Sequence, residues 1–142
     1  MSEETAIHNL RRDYDREPLV ESDLDPDPVK QFRIWFEDAR LSGIPEPNAM
    51  TLGTADRSGN VSCRTVLLKA YDERGFVFFT NYGSRKAHQI AGNPRAAVLF
   101  PWVALARQVE IAGEVEKISA AESLAYFVSR PFGSRLGAWV SD

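Results

Sequence analysis

The sequence is poor in the groups that staple or ligate. Cys63 is its single cysteine and His8 and His88 are its two histidines, which excludes an internal disulfide and leaves a structural zinc site short of ligands. Long hydrophobic runs are missing as well. The longest apolar stretch, residues 96–106, is broken by Pro101 and is well short of the ~20 residues a membrane helix needs. Residues 1–5 are acidic and carry no apolar core, so no secretory leader is predicted. A surplus of positive charge is also absent: 17 Lys and Arg stand against 20 Asp and Glu, a net charge of −3. A chain built to coat nucleic acid has the opposite balance. The expectation is a cytoplasmic protein in a reducing setting, with no membrane and no nucleic-acid partner. Local basic clusters in an acidic chain suggest a small anionic ligand instead.

What remains is an ordinary globular composition, 44% hydrophobic and 26% charged over 142 residues, enough for one domain but not two cores. Residues 1–27 are polar and read as a flexible arm, leaving residues 28–142 as the domain. Asp27 is a natural N-cap and Pro28 suits a first helical turn. Phe32, Trp35, Phe36 and Ala39 then recur at helical spacing up to Gly43, an aromatic stripe that reads as core packing. From Met50 the period changes to two. Residues 50–55 and 61–70 predict a hairpin about the turn 56–60, and residues 76–80 a third strand of a meander. Ser84 to Ile90 predicts a short helix with Gly92 as its stop. Residues 96–100 and 107–118 supply two more strands, the last with Val109, Ile111 and Val115 on one face and Gln108, Glu110, Glu114 and Glu116 on the other. Five or six short antiparallel strands tend to curl closed, so a small barrel is expected.

One basic cluster carries chemistry. Arg64 and Lys69 lie in an otherwise apolar strand, where a long cation needs a partner or an exit to water. Gly83 permits a tight turn and Ser84 can cap the helix that follows, where free N–H groups face an anion at the positive end of the helix dipole. Arg85 and Lys86 add formal charge at that end. The pattern is a phosphate cradle; a solvated helix face is the plainer reading of Arg85 and Lys86 taken alone. Arg64 and Lys69 are five residues apart and so face opposite sides of a regular strand. Either a bulge turns the strand, or both faces serve a ligand at a symmetric subunit interface.

A second constellation follows. Ser119 to Glu122 is a capping box that starts a helix running to about Ser129, before Pro131. Tyr126 and Arg130 lie four apart on one side of it, and Ser134 follows at another possible helix start. Each has a packing or dipole role as its plain reading, yet a phenol, a guanidinium and a hydroxyl together suit a second phosphate.

The segments Arg64 to Lys69, Thr80 to Gln89, Phe100 to Trp102 with Arg107 to Val109, and Ser129 to Pro131 through Gly137 to Ser141 resemble the pyridoxamine 5'-phosphate oxidase family. The resemblance runs from about Leu10 to the last residue. It implies a mainly β protein with flanking helices, an antiparallel, Greek-key-like split β-barrel that binds FMN at the interface of a homodimer. It further implies that Arg64, Lys69, Ser84, Arg85 and Lys86 hold the FMN phosphate and ring edge, with Thr65, Val66, Leu67, Leu68, Phe79, Thr80 and Gln108 completing the flavin site. Phe79 stands where many members carry tyrosine. Lys69, Tyr126, Arg130 and Ser134 match substrate-binding positions, and Arg11, Arg12 and Tyr14 resemble an arm that can fold over the substrate. The implied reaction is oxidation of pyridoxamine or pyridoxine 5'-phosphate to pyridoxal 5'-phosphate, with O2 reduced to H2O2. Members of the family continue beyond the position of Asp142 with further flavin contacts, much of the dimer interface, and an arginine and a histidine near the substrate ring. No catalytic residue is therefore assigned within the 142 residues. Readings of other classes are a flavin-binding module without turnover, a flavin reductase-like or deazaflavin-dependent split-barrel protein, and, fitting less well, an oligonucleotide-binding barrel.

Overall fold

The computed structural model describes residues 3–10, 18–80, 83–119 and 121. In the predicted arm it places a short helix α1 (Glu3–His8) and a 3-10 turn (Glu21–Asp23). Helix α2 (Pro28–Leu41) starts as its sequence dictates. The Asp27 carboxylate accepts from the Val29 N–H at 2.9 Å, and Pro28 occupies the first turn. Just past its end, Gly43 takes φ 83°, a left-handed value that a side chain disfavours.

Strands β1 (Ala49–Ala55) and β2 (Val61–Leu67) form the predicted hairpin. Their register is unbroken from Ala49 opposite Leu67 to Ala55 opposite Val61. Asp56 builds the turn, its carboxylate accepting from the Ser58 and Asn60 N–H groups and from the Asn60 side chain, each at 2.9 Å. The third meander strand is a correction. The chain leaves β2 at Leu67 and enters a separate hairpin of β3 (Ala70–Asp72) and β4 (Gly75–Val77). The backbone shows how the change is made: the Leu68 N–H donates to Asn48 C=O at 2.8 Å, and the next N–H, of Lys69, turns to Val77 C=O at 2.8 Å. Helix α3 (Arg85–Gly92) then carries the chain across to β5 (Arg95–Phe100), which pairs with β1, and to β6 (Val109–Glu114). Gly92 belongs to α3, and Asn93 caps it.

The result is one antiparallel sheet in the order β2-β1-β5-β6 and one two-stranded sheet. Among the described residues these sheets do not close on one another into a barrel. The last strand is also shorter than predicted. Beyond Glu114 the pairing runs one step further, the Val115 N–H bonding Pro94 C=O at 2.7 Å in the same register. No helix among the described residues is long and apolar enough to cross a membrane.

Alternation decides what is buried. Met50, Leu52 and Thr54 of β1 face inward with Val66, Val98 and Phe100, and α2 lays Phe32 and Ala39 against them. Phe32 is the hub: its ring centroid lies 4.9 Å from those of both Tyr71 and Phe76 and 5.1 Å from that of Phe100. Trp102 joins the cluster and donates its indole N–H to Pro47 C=O at 2.9 Å. The aromatic stripe of α2 is therefore core, as its spacing predicts. Its far side is tied to the turn before β6, where Arg107 donates to Asp38 at 2.9 Å and lies 4.7 Å over the Trp35 ring.

Candidate functional site

Ser84 does what its position predicts. Its hydroxyl accepts from the Ala87 N–H at 3.2 Å and caps α3, leaving the first-turn N–H groups beside Arg85 and Lys86. Thr80 stands next to it, with 3.4 Å between the two hydroxyl oxygens. Arg85 is exposed and Lys86 half-buried.

Arg64 points from β2 toward the same helix. It is half-buried, and all its recorded hydrogen bonds go to neutral oxygens: Leu52 C=O at 3.2 Å, Thr54 Oγ1 at 2.7 Å, Ser62 Oγ at 2.9 Å and Gln89 Oε1 at 3.2 Å. Burial pushes its pKa down from the ordinary arginine value; Cys63 opposes the shift and the nearby Arg85 adds to it. A guanidinium keeps its charge throughout the working pH range. Two cations therefore approach each other here, and the described ion pairs give neither of them a carboxylate. An open pocket of about 500 Å³ lies against Arg85, lined also by Asp56, Gly83, His88 and Gln89.

The remaining predicted positions scatter around this center. Thr65 is exposed, Val66 and Leu68 are buried, and Leu67 and Lys69 are half-buried. The parity of burial holds through residues 66, 68 and 70, so Lys69 faces away from Arg64. The β1–β2 register contains no bulge up to Leu67, and Lys69 lies past that strand, its N–H bonded to Val77 C=O. Phe79 and Thr80 line a larger cleft of about 660 Å³ between the β4 segment, α3 and residues 114–118. Gln108 is exposed and precedes β6 rather than lying within it. With β2 and β6 on opposite edges of the sheet, three strand spacings or ~14 Å separate those strands. Tyr126, Arg130 and Ser134, with Arg11, Arg12 and Tyr14, lie outside the described residues. Sequence reading missed Thr54, Ser62 and Gln89. The detectable signal is that Ser62 and Arg64 alternate on β2 with Thr54 opposite Ser62.

Residues 36–142 match the family described as pyridoxamine 5'-phosphate oxidase. The chain belongs to the pyridoxamine 5'-phosphate oxidase family. Among relatives, it is 59% identical over 138 residues to a pyridoxine/pyridoxamine 5'-phosphate oxidase of Thermosynechococcus vestitus, covering 97% of this chain and 65% of the relative. A protein of the same description from Bordetella avium is 56% identical over 137 residues, covering 96% and 65%. The chain thus spans 65% of the length of these two family members. Among solved structures, PhzG from Burkholderia lata, in complex with tetrahydrophenazine-1-carboxylic acid, aligns with a TM-score of 0.72 at 26% identity, over 81% of this chain and 58% of that one. A pyridoxamine 5'-phosphate oxidase-related, FMN binding protein from Nostoc punctiforme aligns with a TM-score of 0.59 at 19% identity, over 81% and 64%. That likeness concerns the fold, which is the split-barrel arrangement of this family.

Proposed function

We propose that the cations of β2 and α3 hold the phosphate of FMN, and that the chain serves the oxidation of pyridoxamine or pyridoxine 5'-phosphate to pyridoxal 5'-phosphate, with O2 as acceptor and H2O2 as product. The observation that carries the reading is that Arg64 reaches Gln89 on the helix that Arg85 begins, beside a capped helix start, with no carboxylate on either arginine in the described ion pairs. Such a donor set fits a phosphate monoester, which offers several charged oxygens to a guanidinium fork and to helix N–H groups. Bound there, FMN supplies a two-electron acceptor for the substrate and a route to O2. The chain's own part is to bind and orient. Arg64, Ser84, Arg85 and Lys86 fix the phosphate end, while Thr65 to Lys69, Phe79, Thr80 and Gln108 line the rest. Lys69, Tyr126, Arg130 and Ser134 receive the substrate phosphate side, and two anchored phosphates set the distance between reacting groups. Arg11, Arg12 and Tyr14 belong to an arm, residues 1–27, that folds over the substrate; residues 28–142 form the flavin domain.

The working unit in this reading is a cytoplasmic homodimer with FMN at the interface. Two observations support the dimer. Arg64 lies on β2 and Lys69 beyond its end, where the backbone has turned to Val77, and a flavin that touches both is shared between protomers in this reading. The sheet face away from the core carries a row of small residues, Cys63, Gly53, Ala97 and Ala112, side by side across all four strands, over which a second layer can approach closely. The exposed single thiol of Cys63 agrees with a reducing compartment. The test is a titration of the 142-residue chain with FMN followed by fluorescence quenching, then addition of pyridoxine 5'-phosphate in air with assay of the aldehyde and of peroxide. Quenching with product is the expected result. Quenching without product would reduce the chain to a flavin-binding module, and no quenching would remove the cradle.

A further inference from the structure

Gln89 is the buried polar residue that the cradle does not account for. It lies on α3 four residues after Arg85, on the same side of the helix, and is 6% exposed. Its Oε1 gathers donors from two strands: Thr54 Oγ1 at 2.5 Å, Ser62 Oγ at 2.8 Å and Arg64 at 3.2 Å. Thr54 and Ser62 each also accept from Arg64, at 2.7 Å and 2.9 Å. The guanidinium is thus held in a ring of three neutral oxygens, each of which is itself bonded within the ring. A leucine or methionine would fill the same space without a polar group to satisfy, and burying an amide is unfavourable unless it is bonded. A glutamate would offer Arg64 a stronger bond of similar reach, but would cancel its charge. The amide holds the cation in place and leaves it charged.

We propose that Gln89 is a positioning residue that aims Arg64 at the flavin phosphate while keeping it un-neutralised, so that selectivity for FMN over phosphate-free riboflavin depends on a neutral acceptor at position 89. The inference rests on the assignment of Arg64 to that phosphate, and it extends the site to a side chain on the buried side of α3. A residue that merely packs α3 onto the sheet affects both flavins alike. One that directs a phosphate-binding cation affects FMN alone, because riboflavin has the same ring and ribityl chain without the anion.

The experiment measures dissociation constants for FMN and for riboflavin by fluorescence quenching, in the full chain and in Gln89→Glu, Gln89→Met and Arg64→Ala, with urea midpoints as a check on folding. Gln89→Glu is expected to keep its midpoint and lose about tenfold or more of the FMN-over-riboflavin preference, since one charged hydrogen bond is withdrawn from the phosphate. Gln89→Met keeps the volume, removes the acceptor, and is expected to lower the preference severalfold with riboflavin affinity unchanged. Wild-type preference in both Gln89 variants, alongside its loss in Arg64→Ala, would overturn the role of Gln89 and leave the cradle standing. An equal weakening of both flavins would also overturn it, as the mark of a packing role. A wild-type chain that does not prefer FMN to riboflavin would overturn the cradle itself, and this inference with it.

Discussion

The two ends of the main sheet treat positive charge in opposite ways. On the α2 side, Arg107 is paired with Asp38 at 2.9 Å, and Arg40 bonds Glu37 on the same helix. On the α3 side, Arg64 and Arg85 lie near each other and draw on neutral oxygens and a helix start. In the first region these two arginines meet carboxylates, and Arg107 ties α2 to the turn before β6. In the second, the described ion pairs give Arg64 and Arg85 no carboxylate, and a partly buried cation is costly unless it is bonded. The proposed function turns on this difference: it assigns one set of arginines to structure and the other to an external anion.

The largest effect is expected on the closed side. Phe100 is fully buried against Phe32 and Trp102, so Phe100→Ala should cost about 3–5 kcal/mol of unfolding free energy, read as a fall in the urea midpoint. Affinity for FMN extrapolated to the folded fraction should hold. A loss of FMN selectivity in this variant would blur the division. Next comes the open side: Arg64→Ala should weaken FMN by about 1.5–3 kcal/mol, roughly tenfold or more, with riboflavin affinity held. Equal losses for both ligands would place Arg64 with the structural cations. Smaller still is Asp38→Ala, which strips Arg107 of a partly exposed partner at a cost of about 0.2–1 kcal/mol. Its midpoint should shift slightly and its FMN titration not at all.

The smallest effect concerns pH and the turn between β1 and β2. The Asn60 side chain, then its backbone N–H, hold the Asp56 carboxyl below its ordinary value. A depressed folded pKa gives stability that is present above the unfolded value of about 3.8 and is lost as pH falls through the folded one. Urea midpoints of the wild type and Asp56→Asn should therefore differ at pH 7 and converge in acid. A constant difference across that range would assign the turn's contribution to shape alone.

Much of the closed region was legible from local signals. Asp27 and Pro28 mark the start of α2, Gly43 its end, and the turn 56–60 the hairpin, because each depends on neighbours within a few residues. The break at Leu68 and Lys69 was not. Burial alternates through 66, 68 and 70 as it would in one long strand, while the backbone partners switch from one sheet to another, and no side chain records that exchange. The open region was legible in its charges and its cap, since Ser84 and the Arg85-Lys86 pair sit together in sequence. Its acceptors were hidden. Gln89 stands at the end of a segment that carries the family resemblance but is given no site role by it, and only the β1–β2 register brings Thr54 and Ser62 together. The family resemblance supplied the flavin, the substrate and the position of Gln108, none of which composition or periodicity contains.

The central claim is that the cations at the start of α3, with Arg64 of β2, hold the phosphate of a flavin. It is tested most directly by titrating the wild-type chain and Arg85→Ala with FMN under identical salt and comparing the two dissociation constants. The account predicts saturable quenching in the wild type and an affinity about tenfold or more weaker in the variant. Equal affinity in the two proteins would contradict it.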